Sequence, residues 1–256
     1  MKNTWFVLLL AYTAAWGAES VSAPILLYHR LGSVIADSMT VRTFASDLAY
    51  LKAQGYSVIP LRNLTDFIAG KAHSLPERSV VITADDGHKS IYTEMYPLLK
   101  RDHIPVTLFI YPSAISNASY AMTWQQLREM QDSGLVDIQS HSYWHPNFKK
   151  EKKRLSADAY QSLVQIQLYK SKQVLQQRLD KPVDMLAWPY GIFDENLMEN
   201  AKKQGYSAAF TLEARPAGRS DKLMALPRFL MTNQKHALEN LLAEVSRPHL
   251  KPKESP

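Results

Sequence analysis

Apolar positions along this chain switch between a period of two and a period near 3.6, and each switch is marked by a cap, a proline or a glycine. Ile25–Tyr28 is a short apolar run introduced by Pro24 and ending at His29. Phe44, Leu48 and Leu51 repeat at helical spacing behind Thr43, the expected N-cap, and Gly55 closes that helix before residues 56–59 resume as strand. Residues 61–69 read as another helix, closed by Gly70. Residues 80–83 read as a strand buried on both faces, followed by a helical face of Ile91, Met95, Leu98 and Leu99. Later strands are expected over 106–111, 135–140, 185–188 and 206–211. Between them lie helices over Trp124–Asp132 behind Thr123, over 156–179, and over 195–204 behind Asp194. The phrases AQGYSVI and KQGYSAAF repeat one device: helix end, left-handed glycine, strand. Helix and strand alternate about seven times, which predicts an α/β fold with a mostly parallel sheet. For 256 residues a closed or nearly closed barrel suits that pattern better than an open doubly wound sheet.

Composition adds boundaries and exclusions. With 46% hydrophobic residues the chain can bury one large core, expected over residues 21–245. Residues 1–20 carry Lys2, an apolar run from Trp5 to Trp16 broken only by Thr13, then Gly17 and Ala18, which reads as a cleaved secretory signal; an uncleaved anchor is the alternative. The expected location is periplasmic or secreted. Residues 246–256, rich in proline and charge, read as a disordered tail. The absence of cysteine excludes disulfides, thiolate nucleophiles and thiolate zinc sites. The net charge of +6 is dispersed, and the densest basic run, 149–154, is broken by Glu151, so no nucleic-acid partner is expected. No glycine-rich phosphate loop is present, which argues against a nucleotide cofactor.

Three stretches at predicted strand ends carry chemistry. Asp85, Asp86 and Gly87 follow the buried 80–83 strand; a solvated Asp-Gly turn fits them as well as a site does. His141 and His145 follow another strand, and in a parallel barrel all four groups reach one face. Two imidazoles and one carboxylate suit zinc or another divalent transition metal. Trp188, Pro189 and Tyr190 form the third stretch: the rings suit a sugar, and the Tyr190 N–H suits a developing oxyanion, although a packed loop is equally consistent.

Together these stretches resemble the polysaccharide deacetylases of the NodB-homology type, carbohydrate esterase family 4. The family's T-F-D-D-G pattern appears as Thr83-Ala84-Asp85-Asp86-Gly87, its H-S/T-x-x-H-P pattern as His141 to Pro146, and its R-x-P-Y pattern as Ala187-Trp188-Pro189-Tyr190. The resemblance implies a distorted (β/α) barrel of about seven strands and a metal-dependent N-deacetylase. Asp86, His141 and His145 would hold the metal, zinc first, with cobalt, nickel or iron as alternatives. Asp85 would be the general base and Tyr190 the oxyanion donor, with Trp188, Pro189, Tyr143 and His29 as substrate contacts. His29 is also a candidate general acid, an ordinary buried histidine being the alternative. The partner would be an N-acetylated polysaccharide, with envelope or export machinery as a further expectation. Two departures stand out: Ala84 replaces phenylalanine, and Ala187 replaces the arginine that orients the base, while the late Leu-x-His pattern has no match between Leu212 and Leu230. These losses resemble the branch that acts on poly-β-1,6-N-acetylglucosamine, whose domain opens with a strand like PILLYHR. Peptidoglycan or chitin-type polymers are the alternative substrates. A glycan-binding protein with little catalysis is the alternative outside enzymes.

Overall fold

The computed structural model describes residues 22–32 and 38–245, so the leader and tail expected at the termini lie outside the described residues. Seven strands form one curled parallel sheet. In chain order they are β1 (Ile25–Tyr28), β2 (Ser79–Asp85), β3 (Val106–Ile110), β4 (Val136–Ser140), β5 (Met185–Ala187), β6 (Ala208–Phe210) and β7 (Phe229–Leu230), arranged β6-β5-β4-β3-β2-β1-β7. The expected strand at 56–59 is present as Ser57–Val58, paired with the first residues of β2.

The sheet is closed by one segment. Leu226 accepts from the Thr211 N–H and donates to the Ala209 carbonyl, both at 2.8 Å, on the β6 side. Three residues later Phe229 and Leu230 pair in parallel with Leu26 and Leu27 of β1. A single extended stretch therefore spans the two sheet edges, and Arg228 sits in its middle.

Strand alternation sorts the core into two layers. Val80, Ile82 and Ala84 face outward and pack with Phe44, Ile91, Leu127 and Leu175 of the surrounding helices. Val81 faces inward with Phe109, Ala187 and Phe210, and the amphipathic helix Leu61–Ile68 buries Leu61, Leu64 and Phe67 against that inner cluster. Period two then puts Thr83 and Asp85 on the same inner face as Val81, above the apolar floor. Ala84 belongs to the outer layer, so its small size alters helix packing and leaves the inner face untouched.

The helices follow the periodicity with several corrections: residues Ile91–Met95 form a π turn, and the basic run lies in a short helix, Phe148–Arg154. Thr40 rather than Thr43 caps Val41–Ala53, its hydroxyl accepting from the Thr43 N–H at 3.0 Å, while the Thr43 hydroxyl reaches Asn233. The long helix expected over 156–179 is helical from Ala157 to Leu179, but a π turn at Ile166–Lys170 interrupts its α geometry. Gly55 and Gly205 adopt φ of 69° and 78°, the left-handed helix ends that the repeated phrase predicts. None of the helices among the described residues is long and apolar enough to cross a membrane.

Asp47 of the first helix accepts from the Tyr28 hydroxyl of β1 at 3.4 Å. Burial pushes its carboxyl up to about 7, opposed by that hydrogen bond and assisted by Glu239. The folded value lies above the unfolded one, so this group's contribution to stability is complete at low pH and is lost as pH rises through 7. Thermal melts from about pH 5 to pH 8 should show a falling melting temperature that Asp47→Asn flattens; a parent-like slope in the variant contradicts this assignment.

Candidate active site

Three loops leave the carboxyl ends of β2, β4 and β5, and non-glycine residues in left-handed conformations bend each of them. Asp86 (φ 73°), Ser142 (63°), His145 (60°) and Tyr190 (57°) all adopt this region. Such backbone costs of order 1–3 kcal/mol per residue and persists only where surroundings hold it. Gly87 (φ 76°) suits the same left-handed turn, and a Cβ there would press on the tip of Ile110, 2.9 Å from its Cδ1.

The two adjacent aspartates have different surroundings. Asp85 ends β2 on its inner face with 2% of its side chain exposed, while Asp86 turns toward the mouth with 32% exposed. Arg228 grips Asp85 in a fork, Nη1 to Oδ1 and Nη2 to Oδ2, both at 2.8 Å. The arginine is fully buried, and its remaining donors reach the Thr211 carbonyl (3.2 Å) and Thr83 Oγ1 (3.5 Å). Burial pushes the Asp85 carboxyl up, but the charges of Arg228 and His141 and the fork's hydrogen bonds outweigh it, so the group stays below its ordinary value. The orienting arginine absent at Ala187 is thus supplied from the closing segment. Its sequence signal is a lone arginine inside Leu223-Met224-Ala225-Leu226-Pro227-Arg228-Phe229-Leu230-Met231, where a cation must be buried or break the pattern.

Ala187 keeps a role through its backbone. Its carbonyl accepts from His141 Nδ1 at 2.8 Å, which sets the tautomer and leaves the Nε2 lone pair facing the carboxylates. His141 Nε2 and His145 Nε2 lie 3.6 and 3.8 Å from Asp86 Oδ1. Burial, with His141 beside it, pulls His145 down to about 4, so it is neutral at pH 7. Ligand atoms of Asp86, His141 and His145 all lie within 4.8 Å of one another. The two Nε2–Oδ1 separations are too long for hydrogen bonds, but they approach the edge of about 3.3 Å expected for tetrahedral ligands at 2.0–2.1 Å from an ion. Two imidazoles and a carboxylate of this geometry fit a divalent metal.

The loop between the histidines is clamped from behind. Gln167, fully buried in the π turn, accepts from the N–H groups of both Tyr143 and Trp144 at 3.0 Å through Oε1. Those two donors determine the amide's orientation and leave Nε2 without a partner among the described residues. Ser142 Oγ accepts from the His145 N–H at 3.2 Å. Helical periodicity assigned Gln167 nothing, because its importance comes from the register change of the π turn.

A cavity of about 490 Å³ joins Asp85, Asp86, His141, His145, Tyr190 and His29. His29 is half-buried, and its Nδ1 has no partner among the described residues. The other expected sugar contacts require correction. Trp188 reaches the cavity wall, but it is fully buried and its indole N–H donates to the Met224 carbonyl at 3.0 Å, so it packs the loop instead of presenting a free face. Pro189 is buried in the 3₁₀ turn, and Tyr143 turns away to lie under Lys170 Nζ, 4.3 Å from its ring centre. Trp144, 44% exposed, stands outward from that loop.

The chain belongs to the polysaccharide deacetylase family, whose model matches residues 72–209. It is 32% identical over 212 residues to the poly-β-1,6-N-acetyl-D-glucosamine N-deacetylase of Staphylococcus epidermidis, covering 81% of this chain and 72% of that protein. The Escherichia coli K12 protein of the same name is 28% identical over 80% of this chain, which spans only 36% of that relative's length. Among solved structures, IcaB from Ammonifex degensii superposes with a TM-score of 0.78 at 26% identity, covering 89% of this chain and 97% of that one.

Gln167→Leu should weaken divalent-metal binding roughly ten- to hundredfold in calorimetric titrations, with Gln167→Glu recovering part of the loss because an acceptor remains. Arg228→Lys keeps the charge and loses the fork. It should lower the deacetylation rate by roughly ten- to hundredfold, and an unchanged rate would show that the fork does not hold Asp85 in a working position.

Proposed function

We propose that this chain is a divalent-metal-dependent N-deacetylase that hydrolyses acetamido groups on a polymer of N-acetylglucosamine, poly-β-1,6-N-acetylglucosamine first, in the periplasm or outside the cell. The observation that carries the proposal is the convergence of Asp86, His141 and His145 within ligand distance beside a buried carboxylate held by Arg228. The N-deacetylases that the chain is similar to support the substrate, and the apolar run from Trp5 to Trp16 supports export.

Asp86, His141 and His145 would hold the metal, zinc being the best match to two imidazoles and one carboxylate. When bound there, the metal supplies Lewis acidity to the water and the acetamide carbonyl that meet at the site. Asp85 accepts the proton of the attacking water; its depressed pKa keeps it anionic and ready as a base. The Tyr190 N–H, on its left-handed turn, would donate to the oxyanion as the carbonyl carbon becomes tetrahedral. His29 would protonate the leaving amine, after which acetate and the free glucosamine separate. The fork supports unequal roles for the two carboxylates: His141 Nε2 lies 3.7 Å from Asp85 Oδ2 and 3.6 Å from Asp86 Oδ1, but both Asp85 oxygens accept from Arg228, whereas Asp86 has no guanidinium partner among the described residues and also meets His145. The rival reading, a binding protein with defective chemistry, rests on the arginine missing at 187 and the unmatched general-acid pattern; the Arg228–Asp85 fork weighs against the first of these.

Acetate release from β-1,6-linked N-acetylglucosamine oligomers tests the proposal. Asp85→Asn and His141→Ala should each slow release by roughly a hundredfold or more, and a chelator should abolish it until zinc is restored. Rates equal to the parent's in both variants would sink the mechanism.

A further inference from the structure

One wall of the catalytic cavity carries hydrogen-bond donors for which the deacetylation steps have no use. Arg30 and His88 line the cavity, and Lys89 adjoins them in the chain. Arg30 lies two residues beyond β1, where Arg30–Leu31 pairs in parallel with Ser38–Met39, whereas His88 and Lys89 follow Gly87 in the turn after β2. One hydroxyl joins these two stretches. Ser90 Oγ, buried, accepts from the Leu31 N–H at 2.9 Å and lies 2.8 Å from His88 Nδ1.

That junction decides what His88 presents. The Ser90 N–H donates to His88 Nδ1 at 3.1 Å, so Nδ1 is an acceptor and carries no proton. Ser90 Oγ already accepts from Leu31, and its own proton finds the same ring nitrogen. The ring is therefore the neutral tautomer with its proton on Nε2, which makes His88 a donor at the cavity wall. Tyr120 stacks on it with an interplanar angle of 11° and keeps it from turning.

Arg30 is half-buried at the same wall, and no carboxylate pairs with it among the described residues. Lys89 Nζ donates to a neutral group, the Ser119 carbonyl, at 3.1 Å. The charges of Arg30 and Lys89 both reach His88. Across the cavity the Asp85 carboxylate is already neutralised by Arg228. The side chains of Arg30, His88 and Lys89 thus offer only donors, two of them cationic. Such a wall complements an anion, and a planar guanidinium beside one fixed N–H suits the two oxygens of a carboxylate.

We propose that Arg30 and His88 form an anion site that takes a carboxylate carried on a sugar hydroxyl of the polymer, so that acidic N-acetylglucosamine chains are deacetylated faster than neutral ones. The effect on turnover rests on the deacetylase reading; the anion site itself does not. Two kinds of substituent supply the same chemistry, a dicarboxylic-acid half-ester and a lactyl ether.

The test compares kcat/KM for acetate release from β-1,6-linked hexasaccharides carrying either succinyl half-esters or 3-O-lactyl ethers, each beside its counterpart with the carboxylate amidated. In the parent at least one acid form should exceed its amide roughly three- to tenfold at low salt, and the pair that does so identifies the carrier of the carboxylate. The preference should shrink in about 1 M salt. Arg30→Gln should abolish it, Arg30→Lys should keep part of it because the charge remains without the fork, and His88→Phe should lower it severalfold. Equal rates for acid and amide forms in the parent, or a parent-like preference in Arg30→Gln or His88→Phe, overturn the site. If the parent releases acetate from none of the oligomers, the deacetylase reading fails, and calorimetric affinities measured with chelator present decide the anion site alone. Tighter binding of an acid form that Arg30→Gln removes then upholds it, and equal binding of acid and amide overturns it.

Discussion

The fork between Arg228 and Asp85 is the interaction on which the active end of this barrel depends. Removing two full charges from water costs several kcal/mol per ion, so such a pair survives only when its geometry is good and its other donors are used. Both conditions hold: each Asp85 oxygen receives a 2.8 Å bond, and Nε and Nη1 find Thr211 and Thr83. The partners belong to β2, to the end of β6 and to the closing segment. The pair therefore does in the interior what main-chain pairing of Leu226 and Phe229 does at the two edges, and fixes the register with which the barrel shuts.

One consequence is that two chemically identical neighbours become different groups. Strand alternation sends Asp85 inward to a guanidinium. The left-handed turn at Asp86 sends the next carboxylate to the mouth, where two imidazoles face it. The guanidinium neutralises one of the two charges, so a divalent ion at the mouth would meet one unneutralised carboxylate. Backbone groups complete the arrangement. The Ala187 carbonyl selects the His141 tautomer, and the Gln167 amide holds the strained loop that carries His145. Neither needs a charged side chain, and a packed interior positions both.

Much of this was readable in the residues themselves. The positions of the first six strands of the sheet along the chain, the left-handed glycines at 55 and 205, the caps at Thr123 and Asp194 and the strand-end positions of Asp85, Asp86, His141 and His145 all follow from local periodicity and turn chemistry. What failed was also local in origin. A capping site moved from Thr43 to Thr40, a π turn interrupted a regular helix, and Trp188, expected to offer a sugar a flat face, is fully buried. An aromatic in a strand-end loop reads the same whether packing covers it or leaves it open.

By itself the sequence determined the parallel α/β class and the set of metal-type donors, because both depend on short-range pattern: hydrophobic period, breaker residues and the type of side chain at a strand end. Only the tertiary structure decided that Arg228, far along the chain from Asp85, stands in for an arginine missing at 187, and that Gln167 braces the histidine loop. Those contacts arise from barrel closure and a helix register shift. They join residues whose separation along the chain carries no periodic signal, so three-dimensional packing alone brings them together.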